Sequence, residues 1–309
     1  MATSSSGVAD LYTEIIEDIR IFFADAVLIT NPQFLGGSFN IAGASGDTVR
    51  IPISNGYDNA VAVSEGASIR SAGTQNDFNP TNLTIALTKY GAYSDVNEEA
   101  LEDGGLAVVR QNVVDRIAGG LAQAVDVAGF EALRDAGGNS TVNQDATDLG
   151  SGAANVTNIV MGGMSLYHAS KREPSVRAWY DNDFDRHQFV GSTRQGFKVV
   201  YNGTDTGNNY GVRKLDDVRA IGSGTLTLND FAKSVANLRE NNHPAMASGF
   251  YPAFVAASTE LNVASQLNSV TSGTIGDLSA IGNRALLTGL IGQAAGIEWY
   301  RSNNLPQPS

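Results

Sequence analysis

The chain has 309 residues, with 20 basic against 32 acidic side chains, a formal net charge of -12 and no cysteine. At 42% hydrophobic and 17% charged residues it can bury a sizeable core, which excludes intrinsic disorder, and the missing cysteines exclude a disulfide scaffold, thiolate metal sites and a cysteine nucleophile. The acidic balance opposes a large non-specific nucleic-acid interface, which needs accumulated Lys and Arg, but not a shell that merely surrounds nucleic acid.

Leu11, Ile15, Ile16, Ile19, Phe22 and Phe23 recur in threes and fours, predicting an amphipathic helix over Val8 to Ile29 that ends near Asn31-Pro32. A terminal helix this apolar needs a surface to pack on, and another subunit is one candidate. No basic block begins the chain, and no apolar run reaches the roughly 18 residues of a membrane span, so neither a leader nor a membrane anchor is expected. From Phe34 to Pro80 the pattern changes to short strands among Gly, Ser and Asn. Val49, Ile51 and Ile53 alternate, as do Leu83, Ile85 and Leu87, and the polar stretch between them predicts a long projecting β-hairpin.

Asp95 and Glu98 have capping-box spacing. After Gly104-Gly105 the apolar positions Leu106, Val109, Val113, Ile117, Leu121, Ala124 and Ala128 predict a helix to about Asp135, roughly 45 Å long at 1.5 Å per residue. Gly119-Gly120 within it implies close approach of another element or a bend. The polar connection from Ala136 to Gly152 marks a boundary. Beyond it Ile159 to Ser170 reads as helical, and 172 to 211 as short strands such as Phe197 to Tyr201. Thr227 to Arg239 reads as a helix, Phe250 to Ala256 as a buried strand and Glu260 to Leu267 as a short helix. This succession is α+β rather than a regular βαβ repeat.

The chemical inventory is thin. His168, His187 and His243 form no His-Glu-x-x-His motif and read as isolated, hydrogen-bonded side chains. Asp181, Asp183 and Asp185 open like a calcium loop, but Arg186 and Ser192 occupy the positions that need Gly and a bidentate Glu. Gly191 to Gly196 misses phosphate-loop spacing and reads as a turn leading into a strand. Glu98, Glu99, Glu102 and Asp103 are paired carboxylates whose simplest role is to stabilise a helix start. Lys171-Arg172 and Arg213-Lys214 are short basic pairs without nucleic-acid spacing. No catalytic, cofactor or metal site is expected.

The hairpin ending in "NPTNLTIALTKYGAYSDVNEEALED", the helix "LAVVRQNVVDRIAGGLAQAVDVAGFEAL", the stretch "LTLNDFAKSVANLRENNHPAMASGFYPAFVAASTELNVASQL" and the closing "GTIGDLSAIG...GIEWYRSNNLP" follow one another in an informative order. That order resembles the major capsid proteins of tailed bacteriophages with the HK97-like fold, in particular the N4-like branch, over most of residues 30 to 306. The resemblance implies an N-terminal arm at 1–37, an extended loop at 38–88, a spine helix with peripheral-domain elements at 89–154, further peripheral elements and connections at 155–225, and an axial domain with the C-terminal return at 226–309. Relatives often continue further, so the chain looks short at its end, and the aromatic, charged stretch 165–219 reads as carrying an inserted surface feature.

The implied activity is non-enzymatic self-assembly, through hexamers and pentamers, into an icosahedral virion shell around double-stranded DNA. Its implied site of assembly is the bacterial host cytoplasm. The DNA would be touched weakly, a cement or decoration protein, a portal and a scaffold are the implied partners, and no membrane is involved. Gly104, Gly105, Gly137 and Gly138 are the candidate joints around the spine. Some relatives link lysine to asparagine between subunits. The five lysines here are Lys89, Lys171, Lys198, Lys214 and Lys233, none within the loop proper, so non-covalent arm exchange is expected instead. The competing readings are an encapsulin-like compartment subunit and a carboxylate-dependent hydrolase built on the Glu98 to Asp103 group.

Overall fold

The computed structural model describes residues 5–42, 46–53, 64–66, 81–99, 106–138, 156–161, 166–199, 218–222, 226, 228–240, 245–269 and 292–305. They fall into two compact units. The first draws on residues 1–49, 85–131 and 167–197, the second on 50–84, 132–166 and 198–309.

In the first unit helix α1 (Ser5–Ala26) buries Ile15, Ile19 and Phe23, one residue per turn along one face. It stops at Ala26 rather than near Asn31, because the Leu28 and Ile29 N–H groups both turn to Asp126 Oδ1, at 3.0 Å each. Asn31 instead accepts from Gln33 N and starts the 3-10 turn Pro32–Phe34. Strands β1 (Leu35–Asn40), β4 (Thr88–Asn97), β6 (Leu166–Asp181) and β7 (Arg186–Val199) form a sheet in the order β1-β6-β7-β4. The ladder between β4 and β7 is antiparallel, from Thr88 opposite Gln195 to Asn97 opposite Arg186. That ladder overrides the capping signal: Asp95 is a strand residue, paired with Arg186 at 3.0 Å. Strands β6 and β7 are the two central strands of this sheet. Gly191 to Gly196, expected as a turn, lies within β7.

Strands β2 (Thr48–Ile53) and β3 (Thr81–Ala86) pair as a two-stranded sheet, the ends of the expected hairpin. Helix α2 (Leu106–Gly138) has 33 residues, about 50 Å at the standard rise, and takes in Gly137 and Gly138.

The second unit centres on a sheet ordered β10-β11-β9-β5-β8. Its strands are β5 (Val156–Met161), β8 (Val218–Gly222), β9 (Tyr251–Val255), β10 (Gln293–Ala294) and β11 (Ile297–Arg301). Strand β9 runs parallel to β11 and antiparallel to β5, so one sheet combines strands from the stretches 155–225 and 226–309. Ile159, Val160 and Met161 are fully buried in it. This is the correction to the helix expected over Ile159 to Ser170: a short apolar run has no decisive period, and burial on both faces makes it a strand. The strand expected from Phe197 to Tyr201 coincides over residues 197–199 with the end of β7, and residues 200 and 201 lie outside the described residues. Helix α3 (Leu228–Glu240) buries Phe231, Val235 and Leu238 in the same core as Tyr251, Ile297 and Trp299, the rings of Phe231 and Trp299 meeting edge-on at 4.5 Å. Helix α4 (Ala257–Ser269) adds Val263. No helix among the described residues is long and apolar enough to cross a membrane.

Candidate functional site

The first unit presents two unlike faces of one sheet. Along β7 His187, Phe189, Gly191, Thr193 and Gln195 are buried, while the residues between them are half-buried. The buried set faces the helices. Tyr12 of α1 meets Phe189 edge-on at 5.7 Å, and a Cβ on Gly191 would overlap Ile117 and stand 3.1 Å from Leu121 of α2. Glycine is required there so that α2 can lie directly on the strand.

Of the predicted spine positions, Val113, Ile117 and Leu121 are buried, Ala124 and Ala128 are half-buried, and the side chains of Leu106 and Val109 lie outside the described residues. The buried stripe runs instead through two rows four residues apart, Val113, Ile117, Leu121, Val125, Gly129 and Leu133 beside Val114, Ala118, Ala122, Asp126 and Phe130. A step of three from Leu121 to Ala124 left that stripe. Glycine is needed where α2 meets the chain leaving α1, at Gly129, whose Cβ would stand 2.6 Å from Ile29 Cγ1; Gly119 has nothing within 4 Å. Asp126, 2% exposed, is the residue the pattern missed. A lone Asp in an apolar stripe, opposite a chain reversal, was the available signal.

The histidines serve packing. His168 Nδ1 lies 3.1 Å from Ser38 Oγ and its Nε2 2.5 Å from Gln195 Oε1, with Phe197 stacked on the ring at 5.0 Å. Tyr12 Oη and His187 Nδ1 are 2.6 Å apart. Burial pulls both histidines below the usual imidazole range, against opposing pulls from Gln195 on His168 and from the Glu98 charge on His187. His243 lies outside the described residues, and among those residues no cluster of three metal-ligating side chains occurs.

The opposite face of the sheet is basic. Lys89 of β4 stands opposite Arg194 of β7, and with Lys171, Ser175, Arg177 and Ser192 they border a depression of about 400 Å³. Among the described residues Asp47 pairs with Lys171 at 3.3 Å and with Arg194. The hydrogen bond from Lys171 and the two positive charges hold the Asp47 carboxyl below its usual range. Lys89 and Arg177 form no ion pair among the described residues. Tyr93, opposite Val190, and Trp179 stay half-exposed farther along these strands, at 54% and 42%.

The turn between β6 and β7 is acidic. Asp181 Oδ1 accepts from the Asp183 N–H at 3.1 Å, and Asp185 holds a left-handed φ of 46°. Tyr180 Oη donates to Glu98 at 2.8 Å and to Asp185 at 3.0 Å, bonds that push the phenol pKa upward. Phe184 projects from the tip, 67% exposed. Glu98 and Glu99 are exposed here, whereas Glu102 and Asp103, with the joints Gly104 and Gly105, lie outside the described residues. Of the carboxylates a hydrolase reading would use, Glu98 is engaged by Tyr180.

A second concavity, of about 650 Å³, lies between α1 and α2. Ile21, Phe22 and Val114 supply its apolar wall, and Asp18, Asp25 and Asp115 its rim. Arg110 crosses it to Glu14 at 2.6 Å and Asp18 at 2.5 Å. Ile21 is 63% exposed, an apolar position the single chain leaves open.

No family model matches the sequence, and no curated protein matches it. Solved structures do. A chain from the capsid of bacteriophage JBD30 decorated with minor capsid protein trimers aligns with a TM-score of 0.51 and 10% identity, over 92% of this chain and 93% of its own length. A chain of the bacteriophage JBD30 capsid aligns with a TM-score of 0.50 and 8% identity, over 91% and 92%. The mixed α+β architecture is thus that of phage capsid chains.

Proposed function

We propose that this chain is the major capsid protein of a tailed bacteriophage, a non-enzymatic subunit that self-assembles into an icosahedral shell around double-stranded DNA. The carrying observation is the end-to-end likeness of fold to a phage capsid chain, since 92% of this sequence is accounted for. The half-exposed apolar side chains Ile21, Phe22, Tyr93 and Trp179 fit a subunit whose remaining burial comes from its neighbours.

In this reading α1 is the N-terminal arm, the β2–β3 hairpin the base of an extended loop, and α2 the spine. The HK97-like domain plan, the kinship with the N4-like branch and assembly in the host cytoplasm belong to the same proposal. Hexamers and pentamers of one chain require small changes of local packing, and Gly104, Gly105, Gly137 and Gly138 at the two ends of α2 are the proposed joints. The net charge of -12 favours weak DNA contact. A decoration protein is a natural partner, because the JBD30 capsid carries minor capsid protein trimers.

Expression of the full chain, alone and with its phage's scaffold, followed by sedimentation and negative-stain imaging, tests the reading. Closed shells are expected. Shells filled with protein cargo in the native source would replace the viral reading with a compartment, and soluble monomers with turnover would replace it with an enzyme.

A further inference from the structure

Among the described residues the basic sheet face is compensated only in part and the aspartates of the hairpin tip form no ion pair. Of the four cations Lys89, Lys171, Arg177 and Arg194, only Lys171 and Arg194 have an ion-pair partner among the described residues, the single carboxylate of Asp47. At the tip the Asp181 carboxylate accepts from Gln188 and from the Asp183 N–H and the Asp185 carboxylate from Tyr180, and no ion pair of Asp181, Asp183 or Asp185 occurs among the described residues. Arg186 beside them is committed to Asp95. The tip forms no ion pair with its own chain's basic face among the described residues: Arg177 lies four positions of extended strand from Asp181, roughly 13 Å at 3.3 Å per residue, and Arg194 nine from Asp185, roughly 30 Å, both beyond ion-pair reach.

We infer that the Asp181–Asp185 hairpin tip of one copy docks into the basic depression on the sheet face of a neighbouring copy. This rests on the self-assembly reading and deepens it by naming two surfaces that meet. Charge complementarity is one argument: three carboxylates face four cations partly offset by Asp47. Size is the second. A depression of about 400 Å³ accepts the end of a two-stranded hairpin, whereas a duplex offers a broad convex surface and needs a longer basic track to gain from counterion release. Phe184, 67% exposed between two of the aspartates, supplies the apolar contact, with Val190 in the lining of the depression to receive it. The two surfaces differ, so the contact is heterologous and propagates from copy to copy into a ring or a lattice rather than closing as a two-fold dimer. Each exposed ion pair is individually weak and screened by salt, which suits a contact repeated many times over a shell.

The test uses the full chain under conditions where the unaltered protein forms particles, with circular dichroism to verify folding of each variant. Reversing the face by Lys89→Glu with Arg177→Glu, or the tip by Asp181→Lys with Asp183→Lys, is expected to cut the assembled fraction in sedimentation velocity by about tenfold or more. All four changes in one chain are expected to restore it, since the charges again complement. The milder pair Lys89→Gln and Arg177→Gln should give an intermediate loss that added salt does not deepen. Because the chain has no cysteine, Arg177→Cys with Asp183→Cys gives an independent readout. Oxidation of assembled particles should link copies into covalent oligomers, as the Cα separation of a disulfide, about 7 Å at most, requires. Normal assembly of both reversed variants, or no cross-link in intact particles, overturns the contact while leaving the shell reading in place. Shells that form normally from the face variant but lose their DNA would assign the face to duplex phosphates and overturn it too. An unaltered protein that stays monomeric at every concentration, with or without scaffold, contradicts both readings.

Discussion

Strand β7 shows two kinds of constraint on neighbouring residues. Its buried positions Phe189 and Gly191 are dictated by packing: Phe189 meets Tyr12, and one more carbon at Gly191 overlaps Ile117. The alternate residues, Val190, Ser192 and Arg194, border the basic depression, whose one ion-pair partner among the described residues is Asp47. The first face makes the fold, and the second is available for whatever the fold joins. Substitutions on the two faces should therefore separate, with stability lost on one and association lost on the other.

The largest effect belongs to the packed face. Ile117→Asp places a carboxylate at a site with no exposure, against Gly191 and the sheet, and should cost about 4 kcal/mol or more; failure to recover soluble, cooperatively melting protein is the expected outcome. Asp126→Ala strips the acceptor from the part-buried Leu28 and buried Ile29 N–H groups and should cost about 2 to 4 kcal/mol in chemical denaturation. Asp126→Asn should recover part of it, because an amide oxygen can still accept. Two glycines of one helix sharpen the comparison further. Gly129→Ala collides with Ile29 and should destabilise by about 1 to 3 kcal/mol, whereas Gly119→Ala has open space and should stabilise by up to about 1 kcal/mol.

A smaller effect follows from His168, whose imidazole burial holds below its usual range of about 6.5. The unfolded chain then takes up a proton at a pH where the folded chain does not. Its contribution is full above about pH 6.5 and is lost as pH falls from there toward the depressed value, below which the loss no longer grows. His187 acts in the same direction. Melting temperature measured from pH 7.5 to 5 should fall, and His168→Gln should flatten the slope. Least affected is the open face: Arg177→Ala should change stability by no more than about 0.5 kcal/mol while weakening particle formation.

What the sequence disclosed follows the strength of its periodic signals. The spine helix, the Thr227 to Arg239 helix and the Phe250 to Ala256 strand are long or bounded by turn residues, and the structure has elements at all three. The run at Ile159 carried no usable period, and pairing with β8 and β9 decided it. Gly191 and Gly196 look like turn glycines because their reason is a contact with other segments, the helix α2 and the Ala86 carbonyl, which no local window contains. The basic face was equally hidden. Lys89, Lys171, Arg177 and Arg194 are scattered over 106 positions of sequence, and the order β1-β6-β7-β4 is what gathers them.

The most direct measurement is a cryo-electron microscopy reconstruction of particles from the native source or from full-chain expression, with the mass of enclosed nucleic acid determined in parallel. The account predicts closed icosahedral shells built of this chain, double-stranded DNA inside the native ones, and density from a neighbouring copy on the Lys89–Arg194 face. Monomers without higher-order particles, or shells whose wall is another protein, would contradict it.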